Sequence, residues 1–213
     1  MNYVEVSGLS LVIGIEPILT DINISFEQGK IHGLIGRNGS GKTMLMKCIC
    51  GFVRPTAGSI YVKGKELGKD IDFPESLGLI IETPGFIPYY SGLRNLELLA
   101  AINKKITEDD IRRSMESVGL DPGMRRHVGK YSLGMRQRLG LAQAIMEDPE
   151  LLVLDEPFNG LDEDGVKDFR RYLLELKEKG KTIIMSSHNR EDIEALCDDW
   201  VRMEKGRTAA KKT

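Results

Sequence analysis

Gly36-Arg37-Asn38-Gly39-Ser40-Gly41-Lys42-Thr43 is the stretch on which the reading of this chain turns. Gly36 and Gly41 frame four residues and are followed by Lys and then Thr, which is the phosphate-loop pattern. Gly36, Gly39 and Gly41 let the backbone turn tightly enough for successive N–H groups to face phosphate oxygens. Lys42 brings a mobile positive charge to the β- and γ-phosphates, and Thr43 offers a hydroxyl to Mg²⁺. Arg37, Asn38 and Ser40 complete the cradle. Ile31-His32-Gly33-Leu34-Ile35 precedes it as an apolar run that reads as a buried strand. Met44-Leu45-Met46-Lys47-Cys48-Ile49 follows without Gly or Pro, as a helix should. The N-terminus of that helix adds partial positive charge and free N–H donors beneath the phosphates. A glycine-rich turn that binds nothing has no need of strand, loop and helix together, so the stretch is read as a nucleotide-phosphate site.

The rest of the chain sets bounds. Its 213 residues suit one domain, or one core carrying an inserted subdomain. Apolar residues make up 41% and charged residues 29%, ordinary for a globular protein. The net charge of −2 leaves no electrostatic footprint for nucleic acid. The basic tail, Lys205-Gly206-Arg207 through Lys211-Lys212, reads as a frayed, solvated terminus. Cys48, Cys50 and Cys197 read as small buried residues in a reducing compartment. No apolar run approaches the roughly 18–20 residues that span a bilayer, and no signal peptide is seen. The expectation is a cytosolic protein, with any membrane-spanning part on another chain.

Taken in order, residues 1–30 read as short strands and turns, and Ser59-Ile60-Tyr61-Val62 joins them in a small antiparallel sheet. Leu77-Gly78-Leu79-Ile80-Ile81 reads as a core strand that stops at Glu82-Thr83-Pro84-Gly85. Residues 92–131 read as helical, with a capped start at Thr107-Glu108-Asp109-Asp110. Ser132 caps a further helix running to about Glu147. Leu151-Leu152-Val153-Leu154 has no polar residue, as expected of a parallel strand covered on both faces. An amphipathic helix turns Val166, Phe169, Leu173 and Leu176 inward and stops at Gly180. A buried strand at 182–186, a short helix at 192–197 and a last strand at 200–203 follow. Strands alternating with helices give an α/β fold with a mainly parallel sheet. Residues 1–81 and 148–213 form the core and the β subdomain, and about 82–147 an inserted helical subdomain, all in one domain.

Asp155-Glu156 directly follows the 151–154 strand. Ligands in such sheets bind beyond the carboxyl ends of the strands. Asp155 is therefore placed to hold Mg²⁺, and Glu156 to orient or deprotonate an attacking water.

Tyr131-Ser132-Leu133-Gly134-Met135-Arg136-Gln137-Arg138-Leu139, shortly before these acids, resembles the signature motif of ATP-binding-cassette (ABC) ATPases. Asn159-Gly160-Leu161-Asp162 resembles the D-loop of that family, Ser186-Ser187-His188 its switch-histidine segment, and Pro55-Thr56-Ala57-Gly58-Ser59-Ile60 the turn after its phosphate-loop helix. The resemblance covers residues 2–207 and implies a RecA-like P-loop NTPase core. It also implies a head-to-tail dimer in which each ATP lies between one chain's phosphate loop and the other's Ser132, Leu133, Gly134 and Met135. Glu156, His188 and Lys42 are then the catalytic residues, and Asp162 is the D-loop acid.

Three positions depart from the family pattern. The residue that would stack on adenine is Ile13, which gives apolar contact in place of stacking worth roughly 1–3 kcal/mol. Leu133 and Met135 stand where the signature has glycine and glutamine. Glu82 stands where the family's Q-loop has a glutamine near Mg²⁺, a variation that resembles the bacitracin- and lantibiotic-resistance exporters. Residues 83–100, with Phe86, Ile87, Tyr89 and Tyr90 beside Pro84 and Pro88, then form the groove that receives a membrane subunit.

The resemblance implies the ATP-hydrolysing subunit of a bacterial exporter, using ATP and Mg²⁺. Its partners are a separate transmembrane permease and a second copy of the ATPase, without nucleic acid, at the inner face of the cell membrane. The alternative is a soluble ABC ATPase acting on a macromolecule such as the ribosome. The DNA-repair version is excluded, because no sustained heptads lie between phosphate loop and signature. A regulator without turnover is disfavoured by the presence of Glu156 and His188.

Overall fold

The computed structural model describes residues 1–82 and 85–212. Strands β1 (Asn2–Ile13), β2 (Glu16–Glu27), β4 (Ala57–Val62) and β5 (Lys65–Glu66) form an antiparallel sheet in the order β2-β1-β4-β5. The short strands expected over residues 1–30 are in fact a hairpin of two 12-residue strands. Register shifts along β1 explain why the pattern looked broken: the pairing slips between Val6 and Leu9 around Gly8, whose φ is +57°.

The second sheet has six strands in the order β10-β9-β3-β8-β7-β6. Here β3 is Ile31–Ile35, β6 Leu77–Ile80, β7 Leu151–Asp155, β8 Thr182–Ser187, β9 Asp199–Glu204 and β10 Arg207–Lys212. All its neighbours run parallel except the β9–β10 pair. Alternation along β7 divides the core. Leu151 and Val153 join the cluster that packs the antiparallel sheet around helix α1 (Lys42–Ile49), through Leu45, Met46 and Ile49. Leu152 and Leu154 face the opposite cluster, with Leu139 and Ala142 of α4 (Leu133–Ile145) and Phe169 and Leu173 of α5 (Glu163–Glu178). Full burial of each such large apolar side chain stabilises the fold by about 1.5–3 kcal/mol.

Helices α2 (Gly92–Asn103) and α3 (Glu108–Ser117) carry the apolar positions expected of them, with Leu96, Ala100, Ile111 and Met115 buried. Residues 118–127 are not helical, which corrects the helical reading of 92–131 beyond α3. Gly119 at φ +70° and the Pro122-Gly123 pair interrupt the chain before a short 3₁₀ turn at Val128–Lys130. The break expected at Glu82-Thr83-Pro84-Gly85 falls partly outside the described residues, at Thr83 and Pro84.

The basic tail is a second correction. It is an edge strand, β10, joined to β9 by a turn in which Lys205 (φ +47°) and Gly206 (φ +73°) are both left-handed. Two positive φ angles in succession make the tight hairpin turn whose twist suits the flanking strands. Among the described residues, no helix is long and apolar enough to cross a membrane.

Candidate active site

The parallel register brings the site together at the carboxyl ends of β3, β7 and β8. Asp155 and Ser186 are paired across β7 and β8. Ser186 Oγ donates to Asp155 Oδ1 at 2.5 Å, and Thr43 Oγ1, in the first turn of α1, donates to Oδ2 at 2.6 Å. Ser186 Oγ also accepts the backbone N–H of Glu156 at 2.9 Å. Glu156 itself sits at φ +50°, a left-handed conformation that costs a non-glycine residue about 1–2 kcal/mol.

The two oxygens of Glu156 have different surroundings. Oε2 accepts from His188 Nδ1 at 2.7 Å and from the His188 backbone N–H at 3.3 Å. A carboxylate only accepts, so the Nδ1 of His188 carries the proton. Among the described residues Oε1 is buried without a hydrogen-bond partner, and Lys42 Nζ lies 4.0 Å from it. Lys42 Nζ donates to the carbonyl oxygens of Gly36 at 2.7 Å and Arg37 at 3.4 Å.

The loop is packed from outside. A Cβ on Gly36 would lie 2.5 Å from both Met203 O and Ser40 Oγ, so only glycine fits. Gly206 N–H donates to Ser40 O at 3.0 Å while Gly206 O accepts from Thr20 N–H at 2.8 Å, so the β9–β10 turn clasps the loop to β2. Ser40 Oγ is buried and has no hydrogen-bond partner among the described residues. Gly41 (φ +104°) starts α1 without any side-chain cap. Elsewhere Ser91, Thr107, Ser132, Asp162 and Asn189 each cap the helix they precede. The amide hydrogens at the start of α1 are thus left for a ligand. Asn38 and Gly39 are exposed on the rim, with Gly39 at φ +79°.

Among the described residues, no cluster of three or more His, Cys, Asp or Glu side chains is arranged to hold a metal ion. Magnesium asks for less: it commonly takes one or two protein oxygens, waters and substrate phosphates. The hydroxyl of Thr43 and the carboxylate of Asp155, already in contact, fit that demand. Glu82, at φ +60°, accepts from Lys47 Nζ of α1 at 2.6 Å; no hydrogen bond among the described residues joins it to Thr43 or Asp155. Ile13 lies half-exposed at the end of β1, beside the β1–β2 turn at Gly14.

The signature and D-loop segments lie against each other. Ser132 Oγ caps α4 by accepting from Met135 N–H at 3.2 Å, and the side chain of Leu133 is exposed. A Cβ on Gly134 would come within 2.5 Å of Gly160 O, and one on Gly160 within 2.8 Å of Leu133 Cγ. Asp162 caps α5 through Gly165 N–H at 3.2 Å and accepts from Arg138 Nη2 at 2.9 Å. Those two contacts, the Gly165 N–H first, hold its carboxyl below the usual range. Arg138 also donates to Val118 O at 2.9 Å, and Gln137 to Pro157 O at 3.0 Å. No hydrogen bond among the described residues joins 132–135 to 36–43.

Sequence reasoning did not single out Ser186, Arg138, Lys47 or Gly206. Ser186 was the accessible one, since two polar residues ending adjacent parallel strands are expected to meet. The others depend on packing between distant segments.

A model of the ABC transporter family matches residues 19–159. The chain is 48% identical over 204 residues to an uncharacterized ABC transporter ATP-binding protein, YybJ, of Bacillus subtilis (strain 168), covering 96% of this chain and 94% of that one. It is 42% identical over 201 residues to the bacitracin transport ATP-binding protein BcrA of Enterococcus faecalis, covering 93% of this chain but only 65% of that relative. Among solved structures, the dimeric structure of MJ0796, a bacterial ABC transporter cassette, superposes with a TM-score of 0.89 over 99% of this chain and 98% of that one, at 19% identity.

Proposed function

The chain belongs to the ABC transporter family, as an ATP-binding and ATP-hydrolysing cassette, and from that membership we propose that it powers a bacterial exporter through a separate membrane-spanning permease. The observation that carries the proposed mechanism is the asymmetry of Glu156. One carboxylate oxygen is anchored by His188, while the other is buried, without a hydrogen bond among the described residues, and 4.0 Å from Lys42. An oxygen so placed accepts a proton from water attacking the γ-phosphate, and its anchored twin keeps the carboxylate from turning away.

The other roles follow from the chemistry of each group. The γ-phosphate takes over Lys42 from the carbonyls of Gly36 and Arg37, and the loop amides other than that of Ser40, which donates to Arg37 O at 3.1 Å, receive the remaining phosphate oxygens. Arg37, Asn38, Gly39, Ser40 and Gly41 form that cradle, and Ile13 touches the adenine. Thr43 and Asp155 would hold Mg²⁺, which supplies charge neutralisation on the β- and γ-phosphates. Glu82, tethered by Lys47, is the further carboxylate able to turn toward the metal. Ser132, Leu133, Gly134 and Met135 are offered to the ATP of a second copy of the chain, with Asp162 holding the adjoining D-loop. The permease docks near the exposed Tyr89 and Tyr90, whose rings meet edge to face at 5.0 Å. The protein then works at the inner face of the membrane. The relative named for bacitracin transport supports export.

Glu156→Gln tests the mechanism. Loss of a general base lowers kcat by about 10²–10⁴-fold, while ATP binding persists and an ATP-bound dimer accumulates on size exclusion. Unchanged turnover overturns the role given to Glu156. Pull-down of that variant with ATP from detergent extracts should bring down a polytopic membrane protein; its absence overturns the transporter assignment.

A further inference from the structure

We propose that Arg170 and Asp192 form a positioning pair that fixes His188 from behind. This rests on the reading of His188 and Glu156 given above. Asp192, in the first turn of α6 (Arg190–Leu196), is buried, with 4% of its surface exposed. One of its oxygens accepts from the Arg170 guanidinium of α5, and the other from Ser187 Oγ at 3.0 Å. Ser187 Oγ in turn accepts the N–H of Asn189 at 3.0 Å, and Asn189 Oδ1 accepts that of Glu191 at 2.9 Å. The residues on either side of His188 are therefore both tied down, and the tie ends on one buried carboxylate. The guanidinium carbon lies 5.8 Å from the ring centroid of Phe158, which is locked edge to face against Phe169 at 5.9 Å.

A buried ion pair is a poor device for stability, because apolar residues of the same volume usually do as well. This one also leaves Arg170 Nε buried with no hydrogen-bond partner among the described residues. What the pair does supply is direction. Two carboxylate oxygens fix two donors from different elements, and through Ser187 they fix the backbone that aims His188 at Glu156. The catalytic contact, 2.7 Å between Nδ1 and Oε2, is made by a side chain that is otherwise 63% exposed and free to swing.

The test is single-turnover and steady-state ATP hydrolysis by the full chain carrying Arg170→Met. A misplaced His188 lowers kcat by about tenfold to a hundredfold with KM for ATP little changed. Arg170→Lys restores part of the loss, since it keeps the charge but not the fork. In a His188→Ala background, Arg170→Met costs nothing further, whereas a merely structural role costs the same factor in both backgrounds. Should the unpaired Asp192 compromise folding, Arg170→Met/Asp192→Leu removes both charges and is expected to show the same kcat loss in a folded protein. Wild-type kcat in the double variant, or an undiminished effect of Arg170→Met in His188→Ala, overturns the proposal.

Discussion

Replacing Gly206 by alanine tests whether the β9–β10 turn holds the phosphate loop in shape. Gly206 has φ +73°, and its missing Cβ would lie 2.2 Å from the backbone oxygen of Ile18, which has no freedom to retreat. Left-handed backbone costs alanine about 1–2 kcal/mol. Relief of the clash displaces the turn and breaks its hydrogen bonds to Ser40 and Thr20, each worth about 1 kcal/mol. Stiffening of the unfolded chain by alanine acts the other way and offsets about 0.4–1 kcal/mol of that loss. The expected outcome is a loss of roughly 2–4 kcal/mol in urea unfolding. In the protein that remains folded, KM for ATP rises several-fold while kcat changes less, because Ser40 belongs to the cradle and not to the attacking machinery. Gly206→Asn separates strain from clash. Asparagine tolerates positive φ better but carries the same Cβ, so it recovers little if the clash dominates. Both variants falling within about 0.5 kcal/mol of the parent, with KM unchanged, would refute the clasp.

Burial pushes the thiol of Cys48 up to about 11 and those of Cys50 and Cys197 to about 12, so little thiolate exists near pH 8. A colorimetric disulfide reagent should find no fast-reacting thiol in the folded protein and all three after denaturation; one fast thiol in the native state contradicts the burial. At the start of α3, the hydroxyl of Thr107, then its N–H, then Arg113 hold the Asp110 carboxyl at about 2. The folded value lies below the unfolded value of about 3.9, so this stabilisation is complete above about pH 4 and fades as pH falls toward 2. Asp110→Asn should therefore be less stable at neutral pH yet lose less on acidification across that window. Parallel acid limbs in urea titrations would count against it.

Much of the fold was legible because the residues that build it speak locally. The run at 151–154 is apolar throughout, and those at 31–35 and 182–186 carry only His32, Thr182 and Ser186 as polar residues, as suits strands covered on both faces. Thr107 and Asp110 announce a capping box, and that box is formed. The tail misled for a physical reason. Its lysines and arginines suit an edge strand as well as a frayed end, and only the paired left-handed residues Lys205 and Gly206 mark the hairpin. Long-range pairings stayed hidden. Nothing in the run Asp192-Ile193-Glu194 says that the carboxylate of Asp192 meets Arg170 from the preceding helix, and nothing near Glu82 says that Lys47 reaches it.

The candidate site is also where local rules are left unmet. Helix α1 begins at Gly41 without a cap, although the other helices are capped by Ser, Thr, Asp or Asn. Glu156 holds a backbone conformation suited to glycine. Among the described residues Ser40 Oγ and Glu156 Oε1 are buried without hydrogen-bond partners. Each of these costs stability when taken alone, about 1–3 kcal/mol for a buried polar atom left unsatisfied. They converge on one end of one sheet, around Lys42 and Asp155. A sequence that caps its other α-helices, and gathers two of its buried unsatisfied atoms here, suits having them satisfied by something it binds. Amides and an ammonium on one side call for a polyanion. The Glu156 carboxylate on the other suits a proton donor beside that anion, the place that the proposed function gives to the water attacking a nucleotide's terminal phosphate.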